Sequence, residues 1–350
     1  MYPYKAGQKY VRNAWYMAAW AEEVGREPLQ RTFLDDPVVL YRKQDGTPVA
    51  MWGLCPHRHY PLKNGALVGD SIQCSYHGYT LNCEGQCTKI PAQGNTPKTF
   101  RQRTYPVVER GGLIWIWMGD ADKAELSLLP ALDRAGIDLP GWRLVPNGIT
   151  PIKARGQLII DNVMDLSHIG YLHGRTISAP DAAEAPPNQV REEPIAVYRW
   201  LLDQAPAMPY IREGFPGFEG TMDIELGSEF LGPGLVITFF HFYTSASKGD
   251  RALLGISNHL HGVTPETATT SHDFSGICRN FHTESAQFDA WLKKAVEDTR
   301  EEDVFALEQI EPLLERYANV KTELSGVCDV GATWVRRKIG AMLDAEGSGS

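Results

Sequence analysis

The chain has 350 residues, 43% hydrophobic and 22% charged, with a formal net charge of −9. That length suits two domains with sizeable cores, and the acidic balance argues against nucleic acid or an anionic membrane surface as a partner. No apolar run approaches the roughly 18 residues of a membrane-spanning helix. The longest, GLVITFFHF (Gly234 to Phe242), is strand-length and contains a histidine. The opening MYPYKAGQKYVRNAW has no apolar core of the secretory type, so a cytoplasmic protein is expected. The tail, residues 346–350 with its GSGS, reads as a linker scar.

In chain order, the first third reads as short strands and turns. VVLYRK (Val38–Lys43) and PVAMWGL (Pro48–Leu54) flank the turn QDGT; YPVVER (Tyr105–Arg110) and LIWIWMG (Leu113–Gly119) flank GG, a hairpin signal. Between them stand Cys55-Pro56-His57 and Cys74-Ser75-Tyr76-His77. Two thiols and two imidazoles admit a tetrahedral zinc site or a [2Fe–2S] cluster with Cys₂ on one iron and His₂ on the other. Order discriminates. A zinc finger places both cysteines before both histidines; here each loop supplies one of each, as suits a cluster clamped between two matched loops. Cys55, His57, Cys74 and His77 are therefore the candidate cluster ligands, and this pattern is the signature of Rieske proteins. His59 lies inside the first loop but outside the pattern. Cys83, Cys87, Cys278 and Cys328 read as free thiols, since a long chain without an export signal is a poor disulfide scaffold.

Asp120–Pro130 reads as a linker. The division expected is 1–125 for an all-β cluster domain and 126–345 for an α+β domain. The second opens with GQLIIDNVMDLSHIGYLH, read as a helix with Asp161, Asp165 and His168 on one face. His168 and His173 are five apart, about 140° around an ideal helix, so a shared ion requires a break between them, for which Gly170 is the expected hinge. The bland alternative is two ordinary histidines on an amphipathic helix; a cluster that delivers electrons needs an acceptor, which favours metal. Strands of about ten residues follow between Val197 and His261. A long helix is expected over Ser285–Tyr317, ending or kinking near Pro312. Its inward stripe runs Phe288, Leu292, Val296, Thr299, Asp303, Leu307, Ile310 and Leu314, with Glu301 and Glu302 solvated. A carboxylate on a buried stripe is costly unless paired or metal-bound. Asp303 thus completes a candidate 2-His-1-carboxylate iron site with His168 and His173, a buried ion pair being its rival use.

Nearly the whole chain then resembles the oxygenase component of Rieske non-haem iron oxygenases. YVRNAWYMAAW, DNVMDLSH, TPETATTSHDF and RNF resemble the vanillate O-demethylase, dicamba monooxygenase and toluenesulfonate methyl-monooxygenase group. The resemblance implies a helix-grip-like α+β catalytic domain with an antiparallel sheet, a [2Fe–2S] cluster and mononuclear Fe(II). It implies that Asp165 bridges an iron-ligand histidine to a cluster histidine of a neighbouring subunit in a homotrimer. It also implies that Asn162 stands near the iron and that His261 contacts substrate. The group's substrate-facing tryptophan has no match in register, Trp291 being offset from Asp303. Ile237 and Phe239 are expected to share the pocket wall. The implied activity is oxidative O-demethylation of a methoxylated aromatic acid or phenol with O₂, releasing formaldehyde. N-dealkylation and aryl-methyl or ring hydroxylation are the alternatives within the same chemistry; a non-catalytic electron carrier is the alternative class. No dinucleotide fingerprint and no plant-type ferredoxin cysteine run is present, so NAD(P)H electrons are expected through a separate reductase or ferredoxin.

Overall fold

The computed structural model describes residues 10–317 and 323–347; residues 1–9 and the 348–350 end of the expected linker lie outside them. The chain folds into two compact units. Among the described residues no helix is long and apolar enough to cross a membrane.

The first unit is Arg12–Leu129 with the short return segment Thr264–Ala268. Its strands are β1 (Trp15–Trp20), β2 (Leu29–Phe33), β3 (Asp36–Arg42), β4 (Pro48–Trp52), β5 (Ala66–Val68), β6 (Ser71–Gln73), β7 (Thr80–Leu81), β8 (Cys87–Lys89), β9 (Thr104–Tyr105), β10 (Val107–Arg110) and β11 (Leu113–Trp117). They form three antiparallel sheets, ordered β1-β11-β10, β2-β3-β4-β9 and β5-β6-β7-β8. WYMAAW and LIWIW are apolar at every position, so β1 and β11 are buried on both faces. Trp15 packs edge-on against Trp117 at 5.5 Å. The return segment is tied in by its backbone: Leu34 N–H donates to the Pro265 carbonyl at 2.8 Å and Asp35 N–H to that of Glu266 at 2.9 Å.

The second unit is built on a seven-stranded sheet. Its strands are β12 (Arg143–Ile152), β13 (Gln189–Glu192), β14 (Ile195–Gln204), β15 (Met222–Gly232), β16 (Leu235–Thr244), β17 (Leu253–Thr267, leaving this unit after Val263) and β18 (Thr270–Arg279), in the order β12-β18-β17-β16-β15-β14-β13. The sheet is the antiparallel one expected, but its two edge strands, β12 and β13, and its last strand, β18, went unread in the sequence. Helices α1 (Gly156–Met164), α2 (Asp181–Glu184), α3 (Pro209–Gly214), α4 (Ala286–Tyr317) and α5 (Val330–Gly347) complete it.

Helix α4 runs through Pro312 to Tyr317 without ending there. Its stripe holds as read through Phe288, Leu292 and Leu307, all buried. At the next turn it departs: Ile310 is 42% exposed and Glu311 only 4%. A step of four from Leu307 keeps the inward face as well as a step of three does, and Arg155 supplies the reason to take it. The Arg155 guanidinium grips the Glu311 carboxylate at 2.5–3.1 Å, and the Arg155 backbone N–H adds a bond at 2.9 Å. Arg155 immediately precedes α1, so this pair pins the start of one site-bearing helix to the end of the other. Removing one partner of a buried pair strands the other charge, at a cost of about 3–5 kcal/mol. Arg155→Met is expected to lower the urea midpoint of this unit by that loss, and Arg155→Met with Glu311→Leu to recover most of it. Equal midpoints for the single and double variants would remove the ion pair from the account.

Candidate metal centres and active site

In the first unit the two Cys/His loops are built alike. In the first, Cys55 N–H donates to the Tyr60 carbonyl at 2.9 Å and His59 N–H returns to the Cys55 carbonyl at 2.9 Å. In the second, Cys74 N–H donates to Tyr79 at 2.8 Å and Gly78 N–H to Cys74 at 2.9 Å. Each loop closes through a left-handed residue at the same place, His59 at φ 55° and Gly78 at φ 73°. His59 therefore serves the turn and is exposed. Both thiols are buried, and burial pushes that of Cys55 up to about 11. The His57 and His77 rings lie 4.7 Å apart, with His57 stacked on Tyr79 and His77 exposed. Buried thiols on one side and paired imidazoles on the other fit a binuclear cluster with one iron per ligand type. The Cys83 thiol is engaged by the Asp70 carbonyl at 3.2 Å, and Cys87 and Cys278 are buried free thiols.

In the second unit the expected single helix over Gly156–His173 is in three pieces. Helix α1 stops at Met164; Asp165 is extended (φ −119°, ψ 99°) and a 3₁₀ turn spans Leu166–Gly170. A first break thus falls at Asp165, ahead of both histidines, and the helical turn ends at Gly170, between them. The Asp165 carboxylate caps the new turn, accepting from Ser167 N–H at 3.0 Å, as short acidic side chains do at helix starts. Gly170 has a different use: a Cβ there would meet the Ala183 Cβ at 2.6 Å and the Pro180 carbonyl at 2.9 Å, so it lets α2 approach. Asp161 does not share a face with His168 either. Its carboxylate binds Gln157 and Arg336.

This broken segment aims both histidines at α4. His168 Nε2 lies 3.6 Å and His173 Nε2 3.1 Å from Asp303 Oδ1, and the three residues offer ligand atoms within 4.8 Å of one another. The ring nitrogens behind them are held by acceptors. His168 Nδ1 donates to the Asp165 backbone carbonyl at 2.6 Å and His173 Nδ1 to Glu302 Oε2 at 2.8 Å. An acceptor at Nδ1 places the proton there and leaves Nε2 as a lone-pair donor, the tautomer a metal needs. Glu302, expected in solvent, is instead the carboxylate that orients His173, and the Thr176 hydroxyl fixes it at 2.8 Å. Asn162, expected near the iron, donates Nδ2–H to Asp303 Oδ1 at 3.0 Å. Burial by itself raises the Asp303 carboxyl; the hydrogen bond and charge of His173, with His168 and Asn162, outweigh it and hold the group below its usual range. Burial likewise lowers His168, whereas Asp303 and Glu302 overcome burial and raise His173. Three convergent donors that attract positive charge fit a mononuclear divalent iron.

The contact expected between the Asp165 side chain and His168 is made by the Asp165 main chain. Its carboxylate is turned to Ser167 and to the buried Arg199, whose Nη2 lies 3.2 Å away. Oδ2 has no hydrogen-bond partner among the described residues.

A cavity of about 370 Å³ opens on the triad. Phe240, Tyr210, Trp291, Ile152 and Ile159 supply much of its apolar wall. Ile237 and Phe239, expected here, are on the other side of β16: Phe239 packs on Ala196 and Tyr198, and it is Thr238 and Phe240 that face the cavity. The period of two was right and the phase was not. His261 lines the cavity as expected, its Nε2 3.3 Å from Thr238 Oγ1, and burial pushes it down to about 4, so the ring is neutral. His259, two residues earlier on the same face, faces the cavity too, its Nε2 3.1 Å from the Tyr210 hydroxyl. Alternation from His261 could have found His259; no sequence signal marks Tyr210.

Residues 152–345 match the family described as vanillate O-demethylase oxygenase C-terminal domain, and residues 14–106 the Rieske [2Fe-2S] domain. The iron–sulfur subunit of the toluene-4-sulfonate monooxygenase system of Comamonas testosteroni is 33% identical over 97% of this chain and 99% of its own. The oxygenase component of dicamba O-demethylase from Stenotrophomonas maltophilia is 34% identical over 94% of this chain and 97% of its own. A crystal structure of dicamba monooxygenase bound to 3,6-dichlorosalicylic acid matches with a TM-score of 0.89 at 30% identity, covering 97% of this chain and 99% of that one. Cluster loops, iron triad and whole-length similarity agree, and the chain belongs to the Rieske non-haem iron oxygenases, as the oxygenase component of a monooxygenase whose cofactors are a [2Fe–2S] cluster and mononuclear iron.

Proposed function

We propose that this oxygenase removes the methyl group of a methoxylated aromatic acid or phenol with O₂, releasing formaldehyde, and that NAD(P)H electrons reach it through a separate reductase or ferredoxin. The observation that carries this reading is the triad opening onto a cavity walled by aromatic rings and neutral imidazoles. When bound, the cluster and the iron supply one-electron transfer and O₂ activation. The chain's own residues position and exclude. Phe240, Tyr210 and Trp291 offer ring faces to an aromatic substrate and keep water from the reacting methyl. Thr238 engages one nitrogen of neutral His261, leaving the other to donate to a phenol or carboxylate oxygen. Asn162 holds one oxygen of Asp303 and so fixes how that carboxylate faces the metal position.

Hydroxylation of an aryl methyl group is the second reading. It is favoured by the toluene-4-sulfonate relative, as similar to this chain as the dicamba relative is. A screen of methoxyarenes and methylarenes with a surrogate reductase separates the two: formaldehyde with a phenol marks demethylation, a benzylic alcohol marks the alternative. On the best methoxyarene, His261→Ala is expected to lower kcat/KM about ten- to a hundredfold, the worth of a hydrogen bond to a charged oxygen, while iron content holds. An unchanged kcat/KM would place substrate elsewhere.

Glu302→Ala frees the His173 ring from its acceptor. Iron affinity is expected to fall about 10–100-fold, as for other ligand-orienting partners, with the cluster absorbance intact. Full iron occupancy at the wild-type affinity would show that Thr176 and packing suffice.

The trimer and its electron route belong to the same proposal. The unpartnered Oδ2 of Asp165 and the exposed ring of His77 are the groups we assign to each other across neighbouring copies of the chain. Asp165→Asn should retain both metal centres and the trimer yet lose turnover by orders of magnitude; near-normal turnover removes the bridge.

A further inference from the structure

Asp273 lies on β18 and lines the cavity of the triad. Only 3% of the residue is exposed. Its Oδ1 is fully buried without a hydrogen-bond partner, and neither carboxylate oxygen bonds any described residue. The other deeply buried carboxylates of this unit are not treated so. Asp223 has Arg251, Glu229 has Arg134 and Glu311 has Arg155. The charge of Arg300, which also lines the cavity, acts on Asp273, but the hydrogen bond of Arg300 goes to the Asn147 carbonyl at 3.3 Å. A buried acceptor left open costs free energy in the empty protein. Such a group in a cavity wall is satisfied by whatever the cavity holds.

Resting on the reading of the cavity as an aromatic substrate pocket, we propose that Asp273 is a specificity residue whose open carboxylate accepts a hydrogen bond from an O–H or N–H of the substrate. The substrate class narrows accordingly, to an aromatic bearing a phenol, amine or amide donor besides the methyl group attacked. While Asp273 is ionised, a substrate carboxylate is turned away from this wall, because two anions would meet in a poorly solvated space. Protonation does not change the preference for a polar partner: burial pushes the carboxyl up to about 7, Arg300 opposing and Asp303 adding, and the neutral acid keeps an acceptor oxygen. An ordered water can fill the place in the free enzyme, and a substrate donor then displaces it.

The test is calorimetric titration of the enzyme, replete in cluster and iron and held under argon. Methoxyphenols and methoxyanilines are compared with the methylanisoles that match them in shape, at each ring position. Expected is a donor-bearing ligand that binds about ten- to a hundredfold tighter than its methyl counterpart at one position. In Asp273→Leu that ratio should fall below about threefold, while iron content and cluster absorbance hold and methylanisole binds at least as tightly as in the wild type. If the leucine variant does not fold, Asp273→Ala is read the same way. No preference at any ring position in the wild type, or a preference that survives loss of the carboxylate, overturns the proposal. Donor preference without formaldehyde release would defeat the demethylation reading and leave this one standing; formaldehyde release without donor preference does the reverse.

Discussion

A carboxylate set into the apolar face of a helix is the constraint on which the catalytic unit turns. Asp303 stands between Leu292 and Leu307 on a helix whose neighbouring inward residues are packed against the domain. Placing a charge there costs several kcal/mol unless something repays it. His173, His168 and Asn162 converge on its oxygens. The chain before it is shaped to bring them there: α1 is cut short at Met164, and its last turn presents Asn162. The extended residue that follows and the short 3₁₀ turn swing His168 and His173 round to the same point. A continuous helix could not do this, because its histidines would diverge by well over a right angle.

The groups behind the candidate ligands matter as much as those side chains themselves. His168 leans on a backbone carbonyl and His173 on Glu302, so each ring has one nitrogen committed and one free. Burial lowers the pKa of His168, which its neutral main-chain acceptor opposes, whereas Asp303 and then Glu302 overcome burial and raise that of His173. Arg155 and Glu311 then fix the start of α1 against the far end of α4, so the two halves of the site share one anchor. Rigid elements of this kind hold ligands closer to one geometry than loops can.

The cavity shows the complementary arrangement. Much of its wall is apolar, and burial keeps His259 and His261, which face it, neutral. The Tyr210 hydroxyl is occupied by Ser257 and His259, and Thr238 by His261. Asp273 is the exception, and an unsatisfied group in a substrate cavity discriminates more sharply than a satisfied one. A ligand lacking the matching group leaves the carboxylate dehydrated as well as unbonded.

Local pattern was enough to read the cluster loops, because Cys-x-His and Cys-x-x-His are short-range and their ligand order alone separates one cluster from a zinc site. It also picked out the three side chains that the fold brings together, His168, His173 and Asp303: two histidines near a break and one acid on a hydrophobic stripe are visible in one dimension. The alternation of β16 was also legible, but its phase was not, since Thr238 and Phe239 differ by which face meets the cavity, and no residue carries that label. Glu302 was misread, and Glu311 passed over, for the same reason. An acidic side chain next to the stripe is solvated or buried according to whether His173 or Arg155 arrives from more than a hundred residues away. Asp165 looked like a helical residue and is a helix stop, because its carboxylate found a backbone N–H two residues on and an arginine on β14. The sequence by itself determined which chemistry the chain can carry. Only the tertiary structure decided which carboxylates are partnered and which one is left open, because pairing depends on distance in space and not along the chain.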